Sequence, residues 1–176
     1  MTIRPESPDD APAIAALTER AFLNAPHTSH TEHLIVDALR RSGQLAVSLV
    51  AVDDTTGDLV GHVALSPVTI SDGSTGWFGL GPISVEPDRQ RAGIGTRLMR
   101  SSLGQLIARG ASGCVLVGDP AFYTRFGFVA DGRLIVPGIP TQYVLSLPLD
   151  DSSPRGTVAF HESFQVTDSG GKSPLS

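Results

Sequence analysis

The chain has 176 residues, 13 basic and 18 acidic, with a formal net charge of −5. That length and a 40% hydrophobic fraction suit one domain with a substantial core, expected over residues 1–167. An acidic balance with no run of Lys or Arg argues against nucleic acid as a partner.

No apolar run approaches membrane-spanning length, and the N-terminus lacks the charged start and apolar centre of a signal peptide. A cytoplasmic protein with no membrane partner is therefore expected. The single cysteine, Cys114, lies in the apolar run Cys-Val-Leu-Val and is expected to pack as a small hydrophobe.

Thr2 to Arg4 reads as an edge strand. Ser7-Pro8-Asp9-Asp10 is a helix start, with Ser7 as cap, Pro8 in the first turn and acids near the positive end. Ile14, Leu17 and Ala21 follow at helical spacing. Ser29-His30-Thr31-Glu32 has the form of a capping box for a second helix, whose apolar face is Leu34, Ile35, Ala38 and Leu39 and whose stop is Gly43.

Leu45 to Val52 is nearly all apolar and β-rich, which predicts a buried strand. Leu59 to Ile70 predicts a long strand bent near Gly61 or Pro67, and Asp72-Gly73 a hairpin turn into a strand from Trp77 to Val85. A helix that opens on glycines runs to about Arg109 and stops at Gly110, followed by a short buried strand from Cys114 to Val117. This strand–helix–strand crossover after an antiparallel meander predicts one parallel pair in a mixed sheet, an α/β fold. Asp119 to Gly127 is a compact helix, capped by Asp119. Phe128–Ala130, Tyr143–Leu147 and Gly156–Phe160 read as closing strands, and 168–176 as a frayed polar tail.

The stretch with the most chemistry is Leu80 to Thr96. An apolar strand leads through a turn at Pro87 to a helix that begins Gly93-Ile94-Gly95-Thr96. Amides at a helix start are unpaired and lie at the positive end of the dipole, so glycines there let an anion approach the backbone. Arg89 and Arg91 flank the place that anion would take, whereas Arg97 and Arg100 read as a solvated helix face. The P-loop is excluded because no Gly-Lys-Ser/Thr follows. The dinucleotide fingerprint is weak because its third glycine position is Leu98.

Gln90-Arg91-Ala92-Gly93-Ile94-Gly95 after that strand resembles the signature of the GNAT superfamily of acetyl-CoA-dependent N-acetyltransferases. Leu80 to Val85, Thr31 to Val36, Gly118 to Phe128 and Gly156 to Phe160 look like its YhbS-like branch, so the resemblance covers nearly the whole chain. It implies a twisted mixed sheet with splayed central parallel strands and helices on both faces. It also implies that Ile83, Ser84 and Val85 lie along the pantetheine of coenzyme A, and that Gln90 to Thr96 (Gln90, Arg91, Ala92, Gly93, Ile94, Gly95 and Thr96) hold its pyrophosphate. Asp119, Phe122 and Tyr123 border the same cofactor. Tyr123, in Tyr-x-x-Phe-Gly-Phe, matches the tyrosine that protonates the leaving thiolate. Many members carry an Asn further ahead of this tyrosine; here the chain reads Gly118-Asp119-Pro120 instead.

The base is Glu86, His62, or water acting on an amine that attacks directly. The acceptor is a small-molecule or peptide amine, and a symmetric homodimer is a common state for enzymes of this size. A transferase for a longer acyl group and a non-catalytic acetyl-CoA-binding module are the alternatives. His27, His30 and His33 recur every third residue, but no Cys or carboxylate set completes a metal site, so no metal is expected. With Glu32 they are candidates for the acceptor pocket.

Overall fold

The computed structural model describes residues 1–26 and 28–166; the tail expected at 168–176 and His27 lie outside the described residues. The first strand, β1 (Thr2–Pro5), is followed by a 3-10 turn at Pro8–Asp10 and helix α1 (Ala11–Phe22). The Asp10 carboxylate closes this start by accepting from the Ser7 N–H at 2.7 Å and from Arg4 at 2.7 Å. Helix α2 spans Glu32–Arg41. Its expected capping box does not form: Thr31 is the cap, Ser29 Oγ contacts Thr31 Oγ1 at 2.6 Å, and the Glu32 carboxylate turns back to the Thr28 hydroxyl.

Strands β2 (Val47–Val52) and β3 (Leu59–Pro67) form an antiparallel pair with β1 on the outer side. The long strand expected to Ile70 is interrupted at Val68. Its continuation, β4 (Thr69–Ile70), leaves the main sheet, while β5 (Trp77–Val85) returns alongside β3. Helix α3 (Ile94–Ala108) crosses to β6 (Gly113–Val117), which lies parallel to β5. One turn of helix, α4 (Pro120–Tyr123), and a 3-10 turn at Thr124–Phe126 follow. The chain closes with β7 (Leu134–Ile135), β8 (Val144–Pro148) and β9 (Gly156–Ala159). Phe128–Ala130 is not a strand; it contributes one bridge, Val129 to Ser146.

The main sheet has the order β1-β2-β3-β5-β6-β8, antiparallel except at β5–β6; β4, β9 and β7 form a small second sheet. Helices cover both faces of the main sheet. On one side Leu98, Met99 and Leu106 of α3 cluster with Leu49, Val63, Leu65, Cys114 and Leu116. On the other, Ile14 of α1 and Val36 of α2 meet Val50 and Ala64. Burial on both faces explains why β2 and β3 read as continuous apolar runs rather than alternating ones. Ile70 and Val158 of the second sheet, with Val68 beside them, close over Trp77 and Val115. Among the described residues no helix is long and apolar enough to cross a membrane.

Candidate active site

The site begins where the two parallel strands part. β5 and β6 pair at Trp77–Gly113, Phe78–Cys114 and Gly79–Val115 and nowhere beyond. From there β6 follows β8, with Leu116 opposite Leu145 and Val117 opposite Val144, while β5 stays with β3 as far as Val85. A bulge at Gly81–Pro82, whose peptide is cis, lies in the departing part of β5.

The antiparallel ladder decides which groups face the opening. The Glu86 N–H donates to the Val60 carbonyl at 2.9 Å. Alternation along the ladder then makes Ser84–His62 a bonded pair and turns the main-chain groups of Ile83 and Val85 away from β3, towards the gap. The Val85 carbonyl accepts from the Gln90 side-chain amide at 3.3 Å. Ser84 therefore directs its main chain to β3, and its hydroxyl is sealed from solvent.

Past a 3-10 turn at Pro87–Arg89, the chain reverses through two left-handed residues, Arg91 (φ 65°) and Gly93 (φ 86°). Arg91, Ala92 and Gly93 are exposed. Gly93 is the cap of α3 and offers no side chain to the first turn; the helix's first bond is Arg97 N–H to the Gly93 carbonyl at 3.1 Å. The amides of Ile94, Gly95 and Thr96 precede that bond and lie at the positive end of a 15-residue helix with no acid in its first turn. Of the two flanking arginines, Arg89 is paired with Asp53 at 2.7 Å, and Arg91 has no ion-pair partner among the described residues.

Opposite this start stands α4. Asp119 caps it by accepting from the Ala121 N–H at 2.9 Å, which accounts for the residue locally. The Phe122 ring reaches towards Gly95, whose Cβ, were there one, would lie 3.5 Å from the ring tip and 3.8 Å from Val85. The Arg125 guanidinium lies over Phe122, 4.9 Å from its centroid. Tyr123 packs edge-on to Phe122 at 4.9 Å and Phe128 at 6.3 Å, and its ring lies directly on Gly118. Burial, reinforced by Cys114 and Asp119, pushes the Tyr123 phenol up to about 12, so it stays protonated at neutral pH. Its hydroxyl has no hydrogen-bond partner among the described residues.

Glu86, at the end of β5, is gripped by Arg20 of α1 through two bonds of 2.9 and 2.8 Å, which hold its carboxyl below the usual carboxylate range. His62 of β3 is fully buried. Of the residues expected to line an acceptor pocket, His33 has its Nε2 3.6 Å from Glu19 of α1, and His30 adopts a left-handed φ of 60°. Among the described residues no group of three His, Cys, Asp or Glu side chains is placed to share a metal ion.

Three residues that shape this geometry carry little signal in the sequence. Arg125 could be found, since it lies three residues from Phe122 on one helical turn. Gly118 gains its meaning only from the ring above it, and Arg20 only from Glu86, 66 positions away.

Splayed parallel strands beside a glycine-led helix start define an acyl-CoA N-acyltransferase fold. Residues 2–130 match the acetyltransferase (GNAT) domain family. The chain belongs to that family and is thereby an acyltransferase of the N-acetyltransferase class. It is 36% identical over 170 residues to the uncharacterized N-acetyltransferase YhbS of Escherichia coli (strain K12), covering 93% of this chain and 98% of that one. The crystal structure of YhbS from Escherichia coli in complex with CoA superimposes with a TM-score of 0.84 at 34% identity, covering 98% of this chain and 94% of that one. A GNAT family acetyltransferase from Brucella melitensis in complex with acetyl-CoA gives a TM-score of 0.82 at 45% identity, over 93% and 97% of the two chains.

Proposed function

We propose that this protein transfers the acetyl group of acetyl-CoA to a primary amine by direct attack, with Tyr123 as the acid that protonates the leaving thiolate. The observation that carries the reading is the parting of β5 and β6 after Gly79–Val115, beside three unpaired amides at the start of α3. Those amides, at the positive end of the helix dipole, suit a pyrophosphate. The main-chain groups of Ile83 and Val85 along the gap suit the amides of a pantetheine arm. Arg91 and Arg125 add positive charge on the two sides of the helix start. The complexes of the relatives with CoA and acetyl-CoA support the same choice of co-substrate.

A cationic amine of pKa near 10.4 costs about 4–5 kcal/mol to deprotonate at pH 7, so the site must remove a proton before attack. Carbon–nitrogen bond formation then proceeds with carbon–sulfur cleavage, and the main-chain amides facing the gap can polarise the thioester carbonyl. Tyr123 holds its proton throughout the neutral range and can give it to the sulfur. Glu86 stays ionised at neutral pH because Arg20 stabilises its charged form. As a base it would act with reduced proton affinity, and as a fixed carboxylate it would steer a cationic acceptor.

The test is thiol release from acetyl-CoA with purified protein and a panel of primary amines: polyamines, amino acids, peptide N-termini and lysine peptides. Turnover on at least one acceptor, together with a fall in kcat of about 100-fold in Tyr123→Phe and acetyl-CoA affinity within about twofold, is expected. Tight acetyl-CoA binding with no turnover on any amine would establish a binding module instead. Preference for a longer acyl-CoA would change the donor and leave the acid in place.

A further inference from the structure

Glu32, the first residue of α2, is a nearly buried carboxylate that the reaction as described leaves unused. It precedes Ile35 and Val36 on the inward face of the helix, and only 9% of it is exposed. The Thr28 hydroxyl donates to one of its oxygens and in turn accepts from the His30 N–H at 3.0 Å, which fixes the group's orientation. The other oxygen has no partner among the described residues and is open to solvent. No cation among the described residues pairs with it. An acid in the first turn favours a helix, but a solvated side chain supplies that benefit and keeps its water. Holding a carboxylate this deep without a counter-charge costs stability, and a ligand cation would offset the cost.

The packing of α2 places this oxygen beside the parting strands. Ile14 shares a cluster with Val36, and Glu19 lies 3.6 Å from His33, so α1 and α2 run antiparallel. Arg20, next to Glu19, holds Glu86 at the end of β5. The start of α2 is therefore at the splayed end of β5. One turn into α2, Ile35 clusters with Phe164, whose ring lies 5.1 Å from that of Phe160. Phe160 lies directly on Gly79, the last residue of β5 paired with β6. Glu32, a turn nearer to the Glu86 end, thus lies along the stretch over which the two strands separate. Glu86 is the other acid here, and Arg20 occupies both of its oxygens.

We propose that Glu32 selects the acceptor: its free oxygen binds a cationic group of the substrate other than the amine that is acetylated, so the favoured acceptors are diamines and polyamines. The proposal rests on the acetyltransferase reading and narrows its substrate. The argument for a second cation is electrostatic. An ammonium held by a carboxylate keeps its proton more firmly, which opposes attack by that nitrogen. A charge that persists through the reaction gains from the same contact in the ground state and the transition state, so the contact lowers KM. Thr28 acts as a positioning residue for the carboxylate.

The test compares putrescine and spermidine with n-butylamine, which has the carbon chain of putrescine and no second charge. Wild type should favour the diamine and polyamine by about 10- to 100-fold in kcat/KM, mostly through KM. Glu32→Gln keeps the bond from Thr28 and loses the charge. Its preference should fall to within about twofold of parity, with acetyl-CoA affinity changed by less than about twofold. A merely structural role would slow all three amines together and leave their ratio unchanged. Glu32→Asp, with the charge on a shorter arm, should recover part of the preference. The wild-type comparison depends on no variant. Equal kcat/KM for the three amines, or turnover confined to amines without a second cation, overturns the assignment and leaves the acetyltransferase reading standing. A preference that survives in Glu32→Gln has the same meaning. A wild type inert on every amine sinks both.

Discussion

Gly118 offers a test of Tyr123 that leaves the phenol itself untouched. A Cβ at Gly118 would sit 2.5 Å from Tyr123 Cε2 and 3.1 Å from Cδ2, with Leu116 Cδ1 at 3.3 Å. Ordinary carbon contact needs about 3.5 Å, so in Gly118→Ala the ring must retreat by roughly 1 Å. Phe122 and Phe128 flank the ring edge-on, so the retreat displaces the hydroxyl rather than a flexible neighbour. Gly118 does not adopt a left-handed φ, so alanine adds crowding and no backbone penalty. The overpacking should cost about 1–3 kcal/mol of stability. A misplacement of about 1 Å at a reacting group can cost about 100-fold in rate. The expected result is a kcat depressed towards that of Tyr123→Phe, with acetyl-CoA affinity little changed. The double variant should be no slower than Tyr123→Phe, because both changes remove one function. Steady-state kinetics with calorimetric titration of CoA supply the numbers. A Gly118→Ala enzyme with wild-type kcat would show that the hydroxyl's placement does not matter, and the acid assignment would fall.

The two glycines of the α3 start should behave differently. Gly93, at φ 86°, should lose about 1–2 kcal/mol on replacement by alanine. A Cβ at Gly95 meets its neighbours only at 3.5 and 3.8 Å, so Gly95→Ala should melt within about 2 °C of wild type; equal destabilisation of both variants would contradict this. Gly113→Ala drives a Cβ to 2.4 Å from the Trp77 indole and should cost about 3 kcal/mol, seen as a lower denaturant midpoint with an unchanged slope. If Glu86 is a base, the acid limb of the kcat/KM profile lies below the ordinary carboxylate value, because Arg20 favours the charged form; rate is then lost as pH falls through that depressed value. Arg20→Ala should move the limb to higher pH. A limb that survives in Glu86→Gln would show that it belongs to another group. Tyr123, pushed up to about 12, should cause no alkaline loss of kcat below about pH 11; a phenol-dependent fall near pH 10 would refute its burial in the working enzyme.

The amino-acid sequence by itself determined whatever depends on near neighbours along the chain. Ser7-Pro8-Asp9-Asp10 starts a helix, the apolar run Leu45 to Val52 holds a buried strand (observed over Val47–Val52), and α3 begins at Gly93-Ile94, because caps, φ preferences and apolar periodicity act within a few residues. The parallel pair was legible too, since a helical crossover joins its strands. Other features were decided only by the tertiary structure. The strand expected to reach Ile70 breaks after Pro67 because Thr69 and Ile70 find Ala159 and Val158, some 90 residues on, as partners. Glu86 reads as a candidate base with no partner until Arg20 arrives from 66 positions away. Ser48 and Glu6, 42 positions apart, orient His62 from outside its own strand. A residue's chemistry states what it can donate, accept or bury. Which partner it meets, and so whether it serves as base, anchor or filler, is set by how the sheet and helices bring distant segments together.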